Sequence, residues 1–222
     1  MIDPALHQMP DEEFDRLTDH GGRLAQSVRG LVAAVIRSAV SSDELDAVRR
    51  EVEALTARLQ AEEVSGSVGI QANSAGQLRA WGNPVIGIRN ALAPPIKVEL
   101  DGKGGVWAEC VLGGQYEGPP GHVHGGISSL LLDHVLGEGA HAAGRSGMTA
   151  SLTLTYRKAV PLGPVRLEAE LAPADQQPAE PYKAVMHGRL LGGHDLHLCV
   201  EAEGFFVLPK WARDRQAADE VS

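Results

Sequence analysis

Gly121-His-Val-His-Gly-Gly-Ile-Ser-Ser-Leu-Leu-Leu-Asp-His-Val-Leu-Gly-Glu-Gly-Ala-His-Ala-Ala-Gly144 decides how the rest of the chain is read. Its proline-free run carries Leu130, Leu131, Leu132, Val135 and Leu136 and closes on Gly144, the spacing of a helix with a glycine after its end. A helix apolar on most sides belongs inside a fold. Asp133 sits in its middle, where a carboxylate needs partners, because burying an unpaired charge is costly. Ser129, Leu130, Leu136 and Gly137 lie one turn from Asp133, with Gly126 and Ala140 two turns away. The small residues on that face leave room for something to approach.

Outward from this helix the apolar period changes to two. Before it, Ile96, Val98 and Leu100 alternate with charged residues, Asp101–Gly105 turns the chain, and Val106, Ala108, Cys110 and Leu112 alternate again, a hairpin. After it, Met148–Tyr156 puts Thr149, Ser151, Thr153 and Thr155 on one face and Met148, Ala150, Leu152, Leu154 and Tyr156 on the other. Val165–Leu171, Tyr182–Leu191 and Asp195–Leu208 supply three more strands. Two strands, one buried helix and four strands with short connections imply an α+β fold: an antiparallel sheet whose apolar face the helix covers.

The expected organisation is an N-terminal helical extension over 1–64, a linker and irregular lead-in over 65–95, the sheet-and-helix domain over 96–209, and a charged, frayed tail over 210–222. In the extension, Leu24, Val28, Leu31, Val32, Val35 and Ile36 recur at helical spacing. After the cap cluster Ser41-Ser-Asp43, Leu45, Val48, Val52, Leu55 and Leu59 repeat at alternating three and four. The two helices read as a hairpin with an apolar seam, packed on its own core or on a partner subunit. Seven Arg against thirteen Asp plus Glu in 1–64 argue against a DNA-reading helix pair.

A net charge of -9 and 4% aromatic residues over 222 positions argue against a nucleic-acid partner. Cys110 and Cys199 form no close-spaced motif and read as buried reduced thiols. The acidic start has neither a basic n-region nor an apolar h-region, and no run approaches the ~20 apolar residues of a membrane span. A cytoplasmic protein without a signal peptide is the expectation.

Three features of the central stretch carry chemistry. The first amides of a helix have no internal partner and sit at the positive end of its dipole. With Gly125 and Gly126 there, a ligand oxygen comes close enough for a carbonyl to be polarised and its oxyanion held. Asp133 is suited to act as nucleophile or as general base for a water. The two sets are eight residues apart, about 12 Å along a helix. Both act on one bond only if Asp133 comes from a second copy of the chain, with the site at a dimer interface.

His124-Gly-Gly126, Asp133, Gly137 and Met148-Thr-Ala-Ser-Leu-Thr-Leu-Thr-Tyr-Arg-Lys-Ala-Val-Pro-Leu162 resemble the hotdog-fold acyl-CoA thioesterases. The group is the one containing the phenylacetic-acid-degradation thioesterase and the mammalian thioesterase superfamily members four and five. The match covers about Pro84 to Pro209 and includes the sixteen positions from Asp133 to Thr149. The resemblance implies a sheet wrapped around the helix, a homodimer with a continuous sheet, alone or paired into a tetramer, and hydrolysis of acyl-CoA in lipid metabolism without a cofactor. It implies Asp133 as nucleophile or base, Thr149 orienting the water or the carboxylate, the Gly125 or Gly126 amide polarising the thioester carbonyl, and His124 positioning the thioester. Where some relatives carry an Asn before the glycines, this chain has Glu117-Gly-Pro-Pro-Gly-His122, and the N-terminal extension lies outside the match.

Arg157, Lys158 and Arg145 are the cations nearest to this pattern and the candidates to meet coenzyme A phosphates, or they are solvated strand ends. His122, His134 and His141 read as solvated or structurally satisfied. His122-Val-His124 lacks the following Glu of a cupin-like metal motif, so no metal is expected. The rival readings are a non-catalytic hotdog acyl-CoA binding or regulatory module and a hotdog hydratase; the latter lacks its Asp followed by an Asn-His pair.

Overall fold

The computed structural model describes residues 8–219. Two compact units are present. One is built from Pro84–Ile86 and the chain from Leu92 onward, the other from the chain up to Asn83 together with Gly87–Ala91.

The second unit holds β1 (Gln8–Met9), α1 (Asp11–Arg37), α2 (Ser42–Gln60), β2 (Gln71–Asn73) and β3 (Leu78–Arg79). Helix α2 is capped by Ser41 Oγ, which accepts the Glu44 amide at 3.3 Å. The stretch expected to be irregular therefore contains two strands, which join β1 in a sheet of order β1-β2-β3. A small core forms around Phe14 and Trp81, their rings 5.9 Å apart, with Trp81 Nε1 donating to Thr18 Oγ1 at 3.2 Å. Gly22 of α1 lies against Ile88, where a Cβ would come within 2.9 Å of Ile88 Cγ1.

Among the described residues the expected hairpin seam is not closed. Helix α2 buries no residue, and Leu45, Leu55 and Leu59 stand about half exposed. Val35 and Ile36 at the end of α1 are exposed as well. Alternating three-and-four spacing states that a helix has an apolar face; it does not state what covers that face.

In the other unit, β4 (Glu99–Leu100), β5 (Val106–Leu112), α3 (Gly125–Ala142), β6 (Met148–Tyr156), β7 (Gly163–Leu171), β8 (Lys183–Gly192) and β9 (His197–Val207) follow in the expected order. Only Glu99 and Leu100 of the first expected strand pair. The six strands make one antiparallel sheet of order β4-β5-β7-β8-β9-β6. Helix α3 packs across it, touching β5, β6, β7, β8 and β9.

Leu131, Leu132, Val135 and Leu136 of α3 are fully buried against Ala108, Leu167, Met186, Leu190, Val200 and Phe206. Burying each such side chain contributes about 1.5–3 kcal/mol. Leu136 fits between two strand glycines: a Cβ would lie 2.9 Å from Leu136 Cδ2 at Gly188 and 3.2 Å from Leu136 Cδ1 at Gly204. The Cys110 thiol is half-buried and Cys199 buried, both free; burial pushes Cys110 up to about 12.

The end of α3 is a Schellman turn: Arg145 N donates to Ala140 O at 2.8 Å and Gly144 N to His141 O at 3.0 Å, with Gly144 at φ 72°. The charged tail, expected to fray, forms α4 (Lys210–Asp219), with Ala212 buried.

Strand β6 does not pair with β7, its successor in sequence. It pairs with β9 and ends the sheet, so most of its residues are exposed on both faces, including Met148 and Tyr156.

Candidate active site at the start and exposed face of the central helix

The chain enters α3 through fixed backbone bonds: Val123 N to Val160 O and His124 N to Tyr116 O, both 2.8 Å. His124 takes the N-cap position, its Nδ1 accepting the Gly126 amide at 3.0 Å. An accepting Nδ1 puts the ring hydrogen on Nε2, an assignment made from this geometry. The Gly126 amide is thereby occupied, and the Ile127 amide bonds to His124 O at 2.9 Å. Among the described residues the Gly125 amide has no hydrogen-bond partner. Of the two glycine amides considered from sequence, Gly125 alone is available to a ligand oxygen at the positive end of the helix dipole.

Asp133 is half-buried on α3, and Thr149 Oγ1 donates to its Oδ1 at 2.8 Å. A β-bulge sets this contact. Thr149 lies opposite Phe206 and Ser151 opposite Phe205, leaving Ala150 unpaired between them. Phe206 is buried beside α3, where a Cβ at Gly137 would be 3.6 Å from its ring. Thr149 therefore faces the helix, while Ser151, Thr153 and Thr155 face away. Contrary to the expected alternation, the four hydroxyl residues do not share one face. Strict period two fails because one extra residue is inserted.

The same helix-facing side of β6 ends in Tyr156, whose hydroxyl donates to Gly125 O at 2.9 Å. Alternation in the sequence places Tyr156 on an apolar face and does not reveal this polar contact; its one sign is a phenol at the last inward position of the strand. A Cβ at Gly125 would lie 3.3 Å from that hydroxyl, so the Tyr156 contact presses directly on a side chain there. Edge strand β6 thus holds α3 at two points, the start and the carboxylate.

His134, next to Asp133, places Nε2 3.7 Å from Glu138 Oε1, and that nitrogen is buried without a hydrogen bond. Burial holds its pKa below the ordinary imidazole value, against the opposing pull of Glu138 and Asp133. His141 shares a hydrogen bond with Ser146 through Nδ1 and Oγ, 2.7 Å apart. His122 Nδ1 lies 2.9 Å from Pro120 O.

The three candidate phosphate-binding cations do not gather. Arg157 Nε pairs with Glu201 Oε2 at 2.6 Å, and Lys158 is exposed beside it. Arg145 lies beyond the other end of β6, about 26 Å of extended strand away, and donates through Nη1 to Lys183 O at 3.1 Å. Among the described residues no group of three or more His, Cys, Asp or Glu could hold a metal ion, and no helix is long and apolar enough to cross a membrane.

Comparison with known proteins bears on the same segment. The family model described as Thioesterase superfamily matches residues 120–174, from the start of α3 through β7. Acyl-coenzyme A thioesterase THEM4 of Xenopus laevis is 45% identical over 47 residues, so the match spans only 21% of this chain and 21% of that relative. A phenylacetic acid degradation-related protein of Ralstonia eutropha JMP134 is 22% identical with a TM-score of 0.42, covering 51% of this chain and 83% of that one. A solved protein of the thioesterase superfamily is 35% identical with a TM-score of 0.72, covering 84% of this chain and 90% of its own. Identity of that level over nine-tenths of a solved member, with the antiparallel sheet curled on α3 as the hotdog fold, makes this chain a member of the thioesterase superfamily.

Proposed function

We propose that the protein hydrolyses acyl-CoA thioesters to the free acid and CoA at a site shared between two copies of the chain. The observation that carries this reading is the pairing of Thr149 with Asp133, together with an unoccupied Gly125 amide about 12 Å away along the same helix. The available amide of one copy polarises the thioester carbonyl and takes up the oxyanion, while Asp133 of the other acts on the carbonyl carbon. As general base, Asp133 takes a proton from water, whose oxygen attacks the carbon; the tetrahedral intermediate expels the CoA thiolate, which then takes up the proton. As nucleophile, Asp133 forms an anhydride with loss of thiolate, and water then cleaves it. Thr149 fixes one carboxylate oxygen and leaves the other to react.

Membership of the superfamily and the local likeness to an acyl-CoA thioesterase support the reaction class. The exposed edge strand β6, with Met148 and Tyr156 in the open, supports pairing with a second copy. Free-thiol release from short, medium, long and aromatic acyl-CoAs tests the proposal: native protein releases thiol, and Asp133→Ala abolishes release while remaining folded and dimeric. No release from any of the panel, or a strictly monomeric protein, overturns it. In a single turnover in heavy-oxygen water, acid released without label marks the nucleophile route with water attacking the Asp133 carbonyl of the anhydride, whereas labelled acid fits the general-base route or water attacking the acyl carbonyl.

A further inference from the structure

The Schellman turn after α3, the residues just before β8 and helix α4 line a half-open depression of about 210 Å³. Two arginines line it, and both are held in place. Arg145 leaves the turn directly after Gly144 and is tied through Nη1 to Lys183 O. Arg213 comes from the first turn of α4, where its amide donates to Pro209 O at 3.1 Å. Its guanidinium lies 4.0 Å from the centre of the Tyr182 ring. Ser146, bonded to His141, supplies a hydroxyl to the wall.

The wall of this depression carries two arginines and no carboxylate. Among the described residues, neither Arg145 nor Arg213 has an ion-pair partner. The neighbouring Glu180 is committed to Lys183. The Nε of Arg213 is buried with no hydrogen-bond partner, so its guanidinium is left short of acceptors as well as of countercharge. In a chain of net charge -9, two uncompensated guanidinium groups on one small depression call for an anion. Stacking on Tyr182 and the bond to Lys183 O remove much of the side-chain freedom that binding would otherwise cost.

We propose that Arg145 and Arg213 form a binding site for the phosphate group of a small molecule. Phosphate fits better than carboxylate because its two negative charges match two free cations, and its tetrahedral oxygens accept from two guanidinium forks and a hydroxyl at once. The phosphate is carried either by the nucleotide end of the acyl-CoA, a case that rests on the thioesterase reading, or by a separate effector.

Calorimetric titration of the full chain with adenosine 3′,5′-bisphosphate tests the site without reference to turnover. The native protein binds saturably. Arg213→Gln and Arg145→Gln each weaken binding about tenfold or more, as expected for loss of a charge-assisted contact. Arg213→Lys, which keeps the charge and loses the fork, weakens it by less and leaves the unfolding midpoint unchanged. Displacement of the bisphosphate by CoA or dephospho-CoA identifies the substrate's own phosphates; no displacement by either identifies a separate ligand. Absence of saturable binding, or binding unchanged in both Gln variants, overturns the proposal. Because the readout is binding, an inactive Asp133→Ala protein that still binds the bisphosphate would separate failure of the thioesterase reading from failure of this one.

Discussion

Thr149 reaches Asp133, at 2.8 Å, from an edge strand that would turn its hydroxyl outward were Ala150 paired. The contact is a directed one, and its loss has a definite expected signature. Thr149→Val removes the hydroxyl with little change in shape; kcat falls at least tenfold while the fold stays intact, and Thr149→Ser recovers most of the rate. Asp133→Asn, which keeps shape and removes the base, costs on the order of 10²–10⁴ in kcat. Thiol-release kinetics on the three variants measure this. Full activity in Thr149→Val would remove the residue from the site.

His124 closes the start of α3 by accepting the Gly126 amide. His124→Ala leaves that amide unsatisfied and lowers stability by about 1 kcal/mol, read as a fall in the unfolding midpoint. Asn is a preferred N-cap side chain, so His124→Asn restores the cap. Recovery of stability and activity together in His124→Asn assigns the imidazole to capping; recovery of stability alone assigns a further contact to the thioester.

The His134 imidazole is half-buried with its Nε2 enclosed, and burial depresses its pKa. Below its unfolded value near 6.5 the unfolded chain takes up a proton that the folded chain does not, so stability is full above that pH and declines as pH falls through the window below it. His134→Gln flattens the dependence of unfolding free energy on pH below about 6.5. Denaturant unfolding at several pH values checks it; an unchanged slope in the variant locates the titration elsewhere.

Leu136 and Gly188 are in direct competition for space. Gly188→Ala sets a Cβ 2.9 Å from Leu136 Cδ2 and destabilises by about 1–3 kcal/mol, while Leu136→Ala alone costs about 2–5 kcal/mol. The double variant loses less than the sum, because the deleted leucine makes room for the added methyl. Additive losses in a double-mutant cycle would mean that the strand, not the leucine, resists the change.

Leu55 of α2 stands about half exposed in the chain. Leu55→Ala in a dilute, unassociated protein changes stability by no more than about 0.5 kcal/mol. A larger loss that grows with protein concentration would show that a second copy covers the α2 seam.

The sheet and its covering helix are legible because β5, β7, β8 and β9 alternate in twos, β6 does so apart from its bulge, and α3 is a long proline-free apolar run closed by a glycine. Strands β1, β2 and β3 are two or three residues long and carry no period to find. Asp133, Thr149 and Gly125 stand out in sequence through motif spacing. The roles of Ala150 and Tyr156 do not, because a bulge is a property of two paired strands and a phenol bonded to a backbone carbonyl depends on where the strand ends. Arg213 reads in sequence as one charge of a polar tail, since only folding of α4 sets it on the ring of Tyr182.

The unpaired Ala150 also bears on how relatives are to be compared. Which residue confronts the carboxylate depends on the count of residues between the end of α3 and Ser151, not only on residue type. A relative whose edge strand lacks the extra residue presents its hydroxyl one position nearer to the residue equivalent to Ser151. An ungapped alignment through this strand would then set the wrong side chain against Thr149, and a catalytically equivalent chain would be scored as having lost its hydroxyl.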